Sequence, residues 1–599
     1  MNNHSSLDAF QAEQLIQHPH QVMEELVKKM ESNTSSKIHE KMSQLYSNYF
    51  LNHDEQEATW KIIPSLNSMS APNTVVRYRG IIQDMNNSEL FTSSHLYREN
   101  SFIANDEDDQ MNDHHSNLME RMLFYCIPIP GEAKWSRNTF YDDNVVTKEE
   151  NNILNEEVKD VKRKRNDEDE YEMLETDDDL VESSDSKRRK ETTCHTNHHD
   201  HSTTHSKTIS REEMLDFPIK GEKGLACMVK LYDEEHELKN ADIVDFVGIV
   251  TYEENVMRDE DEEDKDFYGI FTPEATLVPR LHVLFYKKYQ HISYIVPNTF
   301  PITTANQIST VRESLIDYLS LCLKEDKLAA ELLLLHLISR VRAHNYDVTL
   351  GKFVLNIFHC DNETAHHVYS CIRELVPASY FFELSNENLY TTKLIPYKDY
   401  NSDKLKTGLL QLSSGTHLVI NENALREGNL GEKALHNIGA LSKLIASQKV
   451  DYDFSYHPLT MNVDIPVLIL SQGKSLFRDR DVNCVIKLSP PTSTPSNSEI
   501  AASTTLNSNE MLQMFRSFIS QITQKMKSEV VLSEDFKTSV SEAFVNAKSK
   551  DNSIKEHTLH NWLTMAELIH ASYGKFGQEI DLPTWRRVME IDEAIKKRV

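Results

Sequence analysis

Residues 408–423 read GLLQLSSGTHLVINEN, and the reading of this stretch decides the fold. Gly408, Leu409, Leu410 and Leu412 lead into a polar turn. His417, Leu418, Val419 and Ile420 then form a short apolar run that stops at Asn421-Glu422. A buried strand with polar residues at its carboxyl end is where an open α/β sheet places its site. In sheets that hydrolyse nucleotides such a run ends in Asp-Glu: the Asp holds the magnesium shell and the Glu positions the attacking water. Here Asn421 stands at the Asp position. Its amide is neutral and is itself a donor, so it holds a cation weakly. The stretch reads as an ATPase core strand without its chemistry.

The flanking segments agree. KLAAELLLLHLISRVRA (327–343) is apolar on nearly every side, which predicts a helix buried in a layered domain. GKFVLNIFH (351–359) reads as a buried strand. After the loop CDN, ETAHHVYSCIREL (363–375) reads as a helix with Ala365, Val368, Ile372 and Leu375 on one stripe. Strand, loop and helix are the layout of a phosphate cradle, which needs glycines for converging N–H groups and a Lys for the phosphates. The loop His359-Cys360-Asp361-Asn362-Glu363 has neither, and Asp361 and Glu363 repel phosphate. Gly473-Lys474-Ser475 matches only the tail of that motif, because Leu468 stands where its first glycine belongs.

Downstream, HNIGALSKLIASQK (436–449) predicts a helix and IPVLILS (465–471) a strand. Between them, in VDYDFSYH (450–457), Tyr452, Phe454 and Tyr456 alternate with Asp451, Asp453 and Ser455. In an extended segment the three aromatics share one face, which makes them candidates for a partner-binding anchor; the alternative is packing inside the chain's own core. SPPTSTPSNSE (489–499) is a linker by composition. Residues 509–597 hold four amphipathic helical stretches with short joins, expected to form a bundle.

The first half of the chain differs in kind. After a polar, helical N-terminal region, TVVRYRGIIQDM (74–85), FYCIPIPGE (124–132), GLACMVKLYD (224–233), ADIVDFVGIVTY (241–252) and TLVPRLHVLFY (276–286) read as strands. Several short strands with few helices between them suggest a small barrel of the OB type. Its Arg77, Arg79 and Lys230 lie among Asp84, Asp233, Glu234, Asp242 and Asp245, whereas a single-strand binder needs a basic groove with aromatic platforms. The barrel is interrupted at residues 136–212 by a charged segment, expected to be disordered. It carries Lys162-Arg163-Lys164-Arg165 and Lys187-Arg188-Arg189-Lys190, candidate nuclear localisation signals. It also carries Cys194, His195, His198, His199, His201 and His205, a tract with no flanking fold to fix a zinc geometry. A second acidic loop spans 253–266.

A net charge of −30 over 599 residues argues against a general duplex-binding surface. The seven cysteines are scattered with no CxxC pair, as expected of buried thiols in a reducing compartment. No N-terminal apolar segment suggests secretion, and no uncharged apolar run approaches the roughly 18 residues of a membrane span.

The order of barrel, degenerate α/β layer and helical end resembles the subunits of the minichromosome maintenance replicative helicase. More specifically, the chain resembles the minichromosome maintenance complex-binding protein family. The resemblance is carried by VVRYRGIIQDM, FYCIPIPGEAKW, FPIKGEKGLACMVKLYDE, LVPRLHVLFYKKYQHI, KLAAELLLLHLISRV, ELVPASYF, LIPYKDYNSDKLKTGLLQL and KVDYDFSYH, in order from about residue 60 to 457. It implies an α+β multidomain chain: an OB-like β-barrel with a long disordered insertion, a degenerate AAA+-like α/β domain and a C-terminal helical lid. The expected bounds are 1–70, 71–290, 305–488 and 500–599. It also implies a nuclear, non-enzymatic regulator of DNA replication that binds helicase subunits, promotes their release from chromatin and supports sister-chromatid cohesion. No catalytic residue, cofactor or metal is expected, and contact with DNA is expected to run through the helicase. Two other readings are an atypical nucleotide hydrolase using Glu422 and an OB-type nucleic-acid binder.

Overall fold

The computed structural model describes residues 12–29, 38–51, 62–92, 96, 118–141, 215–252, 277–490, 509–550 and 554–598, with short interruptions at 86–87, 234–235, 299, 302–303, 346–347, 479 and 527–530. The chain divides into two units, residues 1–141 with 216–599 and residues 142–215. Residues 142–214, which hold both basic tetrads and the Cys/His tract, lie outside the described residues, as does the acidic loop 253–266.

Among the described residues, six strands build the first half: β1 (Val75–Met85), β2 (Glu89–Thr92), β3 (Leu118–Ile127), β4 (Cys227–Leu231), β5 (Ile243–Thr251) and β6 (Arg280–Tyr289). They pair in the order β1-β5-β6-β4-β3, and β1 also pairs with β3, so five strands close into a barrel with β2 added outside β3. Closure works because β1 is long. Val75 to Ile81 face β5, while Ile81 to Met85 face β3 across a bulge between Ile82 and Asp84. A bulge bends a strand where a barrel must turn. β3 begins at Leu118 rather than at the apolar run from Phe124, and it stops before Pro128, which has no N–H to continue the ladder.

Helices α1 (Pro19–Lys29) and α2 (Ile38–Leu51) cap one side of the barrel. Met42, Tyr46 and Phe50 are buried there with Val75, Val247 and Leu284. A third helix, α3 (Lys134–Phe140), corrects the sequence reading. Residues 136–140, placed there in the charged insertion, bury Ser136 and Phe140. The guanidinium carbons of Arg77 and Arg79 lie 4.5 and 4.2 Å from the Phe140 ring centre. The aromatic content of KWSRNTF, masked by the charge run that follows, was the available signal.

The second half is a layered α/β structure. α4 (Ala305–Cys322) and α5 (Lys327–Ile338) precede a hairpin of β7 (Ala343–Asn345) and β8 (Val348–Leu350). Then come β9 (Leu355–Phe358), α6 (Asn362–Leu375), β10 (Ser379–Glu383) and α7 (Asn386–Thr391). The hairpin β11 (Tyr397–Asp399) and β12 (Lys404–Lys406) follows, then β13 (His417–Asn421), α8 (Glu432–Ser447), β14 (Lys449–Asp453), β15 (Pro458–Asn462), β16 (Val467–Ser471) and β17 (Cys484–Lys487). The main sheet runs β10-β13-β16-β9-β17 and every pairing in it is parallel. Strands buried on both faces need continuous apolar runs, and HLVI and VLIL supply them. The smaller sheet runs β12-β11-β14-β15.

The helices α9 (Asn509–Lys525), α10 (Glu534–Lys550), α11 (Glu556–Ser572) and α12 (Leu582–Lys596) do not stand apart as a lid. Phe515, Phe518, Trp562, Leu568, Trp585 and Val588 share one continuous core with α4, α5, α6 and the strands β9, β16 and β17. α5 runs through that core, and its one acid, Glu331, is answered by Arg312 at 2.6 Å and by Arg587 from α12.

The barrel and the α/β layer are joined by backbone as well as side chains. Ala133 N–H donates to Pro377 O at 2.8 Å and Ser379 N–H to Gly131 O at 3.0 Å. Ile292 N–H donates to Ser414 O at 2.9 Å, and Leu405 N–H to the Asp84 carboxylate at 2.9 Å. Gly131 sits at φ +70°, and a Cβ there would lie 2.5 Å from Ser379 O. At Gly415, φ +88°, a Cβ would lie 2.3 Å from Nε2 of the buried His291. Only glycine fits either junction.

Candidate functional site

The crevice of an open parallel sheet lies at the carboxyl ends of its strands. Here it is formed by the loops after β9 (359–361), β13 (422–424) and β16 (472–476). The β9 loop turns sharply, with His359 at φ +61° and Cys360 N–H tied to Ser471 O at 3.1 Å.

Most of its polar groups answer one another, and Asn423 Oδ1 is buried with no hydrogen-bond partner among the described residues. Asn421 is fully buried and its amide donates to Asn362 Oδ1 at 2.8 Å. Its own Oδ1 accepts from Asn423 N–H, and the Asn423 amide donates to Cys360 O at 3.1 Å. Thus the position that would hold a magnesium shell is knitted to the loop that would hold phosphates.

The N-terminus of α6, where a phosphate would meet backbone N–H groups, is already occupied by an anion from the chain itself. Asp361 is the N-cap and accepts from Thr364 N–H at 2.8 Å. Its other oxygen meets Lys324 Nζ at 2.6 Å. Burial opposes ionisation, but the Lys324 ammonium and the Thr364 N–H hold the carboxyl down at about 2. A fixed carboxylate on the helix terminus takes the place that the helix dipole offers an anion.

Glu422, which would position the attacking water, instead accepts from Ser475 Oγ at 2.8 Å and Leu476 N–H at 3.2 Å. Burial pushes its carboxyl up to about 7 despite these donors. The Ser475 of the false phosphate-loop tail therefore has a structural task on the β16 loop. Sequence reading found Asn421, Glu422 and Asp361; it named Asn362 and Ser475 without their roles here and passed over Asn423 and Lys324, because these roles depend on which loops the strand order brings together.

The basic residues of the barrel are likewise engaged inside it. Arg79 makes two hydrogen bonds to buried Asp245, at 2.6 and 2.7 Å. Lys230 meets Glu89 at 3.1 Å, and Arg77 donates to Phe140 O at 2.7 Å. Of the six cysteines described, five are buried and Cys371 is half-buried.

The three alternating aromatics do not share a face. β14 ends at Asp453, and Ser455, at φ +60°, breaks the alternation. Tyr452, 4% exposed, packs in the core with Leu405, Leu444 and Val450, and Phe454 packs partly against it. Tyr456 is 89% exposed. Lys162, Arg163, Lys164, Arg165, Lys187, Arg188, Arg189 and Lys190 lie outside the described residues. Among the described residues there is no group of His, Cys, Asp and Glu placed to hold a metal, and no helix is long and apolar enough to cross a membrane.

A family described as mini-chromosome maintenance replisome factor matches residues 50–599. The chain is 30% identical to the mini-chromosome maintenance complex-binding proteins of Gallus gallus and Homo sapiens, over 92% of this chain and 93% of each relative. It is 28% identical to the protein of the same name from Arabidopsis thaliana, over 93% of both chains.

Proposed function

Because the chain belongs to the mini-chromosome maintenance replisome factor family, we propose that it is a non-enzymatic partner of mini-chromosome maintenance helicase subunits. The observation that carries this reading is the closed crevice. Asn421 is bonded to Asn362, and Asp361 covers the helix terminus that a nucleotide phosphate would need. The order of the parallel sheet supports the likeness to a helicase core. Taken in chain order, its first strand β9 lies between the fourth and fifth, β16 and β17, while β13 is one strand further away. That separates the phosphate-loop position from the Asn421-Glu422 position by one strand, as in the ATPase core that the sequence resembles.

A chain shaped like such a core but without its phosphate chemistry offers a subunit the packing surface of a neighbour and no nucleotide clamp. A ring that accepted it would be incomplete and easier to open. Release would follow by mass action towards the bound state, with no turnover by this chain. We assign to the same activity the release of helicase from replicated chromatin and, through it, support of sister-chromatid cohesion. Entry into the nucleus is assigned to the tetrads 162–165 and 187–190. Replacing all eight residues with Ala is expected to leave the protein cytoplasmic; unchanged nuclear accumulation would place the signal elsewhere.

The deciding experiment mixes the purified full chain with individual helicase subunits, with and without ATP, and follows the complex by size-exclusion chromatography. A complex of equal yield in both conditions is expected. A complex that forms only while this chain turns over ATP, with turnover lost in Glu422→Gln, overturns the reading.

A further inference from the structure

The two edges of the small sheet are treated differently. β12 is Lys-Leu-Lys, and its outward N–H groups are covered: Leu405 N–H meets Asp84 at 2.9 Å, and that of the next residue but one, Thr407, meets Asp216 at 2.9 Å. β15 is Pro-Leu-Thr-Met-Asn, carries no charge, and forms the other edge. Lysines and covering elements are the usual protection of a strand edge against pairing. β15 has only the proline at its start.

The backbone of that edge is open. Val463 N–H donates to Gln448 O at 3.0 Å. In an antiparallel ladder inward groups recur every second residue, so Met461 and Leu459 turn their N–H and C=O groups to β14. Thr460 and Asn462 turn theirs outward, and neither N–H has a partner among the described residues. Leu459 and Met461 stand opposite Tyr452 and Val450 on the core side, and Leu459 is 47% exposed. Thr460 stands opposite Asp451 on the other side, bonded to it together with Lys443.

The turn next to the edge is tied by two hydrogen bonds to one carbonyl. Tyr456 N–H donates to Phe454 O at 2.6 Å, and the Tyr400 hydroxyl donates to the same carbonyl at 2.8 Å. The Tyr400 and Tyr456 rings meet edge to face at 6.0 Å, yet they are 54% and 89% exposed. Two exposed tyrosines that meet each other beside an open edge are the residue type that anchors interfaces.

We propose that β15 with Tyr456 and Tyr400 is a docking edge for an extended segment of a helicase subunit, added as a further strand beside β15. The inference rests on the proposed partnership with helicase subunits. A row of outward donors and acceptors is satisfied by another strand. That strand places apolar side chains beside Leu459 and Met461 and polar ones beside Thr460. A second copy of this chain is not the occupant. Five residues of edge bury far less than the roughly 1,200 Å² of a stable interface, so the segment belongs to a partner held by other contacts as well.

The test measures hydrogen exchange and affinity on the full chain, using purified helicase subunits as the probe. Slowed exchange across 456–464 on subunit binding is expected. Leu459→Lys, which places a charge on the edge, is expected to weaken binding at least tenfold. Thr460→Pro removes an outward N–H and is expected to do the same, whereas Thr460→Val keeps the N–H and leaves binding unchanged. If a subunit binds but 456–464 exchanges as before and folded Leu459→Lys binds normally, the docking edge is wrong and the partnership stands. If no subunit binds, both fail. Protection that appears without a subunit and grows with protein concentration would make a second copy the occupant and overturn the proposal.

Discussion

The crevice of the main sheet and the outer edge of the small one are built from similar material and treated in opposite ways. In the crevice, three Asn side chains, a capping Asp and a buried Glu all find partners within the chain. Along β15 the N–H groups of Thr460 and Asn462 find none among the described residues, and the Tyr400 and Tyr456 side chains stay largely exposed. In the crevice the polar groups are satisfied within the chain with the exception of Asn423 Oδ1, whereas along β15 the outward N–H groups are left open. Satisfied buried polar groups fix a structure, whereas unsatisfied exposed ones recruit.

The largest effect tests the satisfied side at its most buried point, in the barrel. Arg79→Ala leaves Asp245 uncompensated, and a loss of about 3–5 kcal/mol in urea unfolding is expected. A loss below 1 kcal/mol would show that burial, not pairing, holds the barrel. In the crevice, Asn421→Leu strands the Asn362 carbonyl oxygen and the Asn423 N–H, at an expected cost of about 1–3 kcal/mol. If the same variant costs nothing, the crevice is not closed by these amides.

Affinity sharpens the contrast further. Isothermal titration with magnesium-ATP is expected to give a Kd weaker than about 1 mM, that is, less than about 4 kcal/mol of binding. Micromolar binding that is lost on shortening the β13 loop would reopen the enzyme reading.

Glu422 gives the crevice a pH signature. Its folded-state pKa is raised to about 7, so its contribution to stability is present below about 4.5 and is lost as pH rises through 7. Relative to the parent protein, Glu422→Gln is expected to gain stability between pH 5 and pH 8, as read by denaturant midpoints. A constant difference would show that Glu422 stays ionised. The smallest effect is at the open edge: Tyr456→Ala is expected to shift unfolding by no more than about 0.5 kcal/mol. A larger shift would make Tyr456 part of the fold.

Much of this was legible in the chain. HLVI, VLIL and the all-round apolar α5 identify a sheet buried on both faces, because only such a layer needs apolar residues at every position. Asn421 and the glycine-free loop at 359–363 were singled out in the sequence, and the structure brings them together at the crevice. What the sequence did not show depends on long-range geometry. Asn362 and Lys324 become partners of Asn421 and Asp361 only once β13 lies two strands from β9 and α4 ends beside α6. The face shared by Tyr452, Phe454 and Tyr456 failed at one residue, Ser455, whose positive φ no neighbouring residue type announces. Phe140 was hidden because a charge run dominates any window that includes it, while two arginines more than fifty residues upstream decide its burial.

The glycine junctions at 131 and 415 have a practical consequence for anyone dissecting the chain. A fragment ending near residue 300 would leave Gly131 O and the carboxylate of Asp84 without their donors, and the complementary fragment would leave Ser379 N–H and Leu405 N–H without acceptors. Both pieces would present raw surface along the cut. Loss of binding in either piece would then report damage at the cut, and gain of binding would report stickiness. Mapping by deletion is therefore expected to mislead here, and single exposed substitutions in the full chain are the sounder instrument.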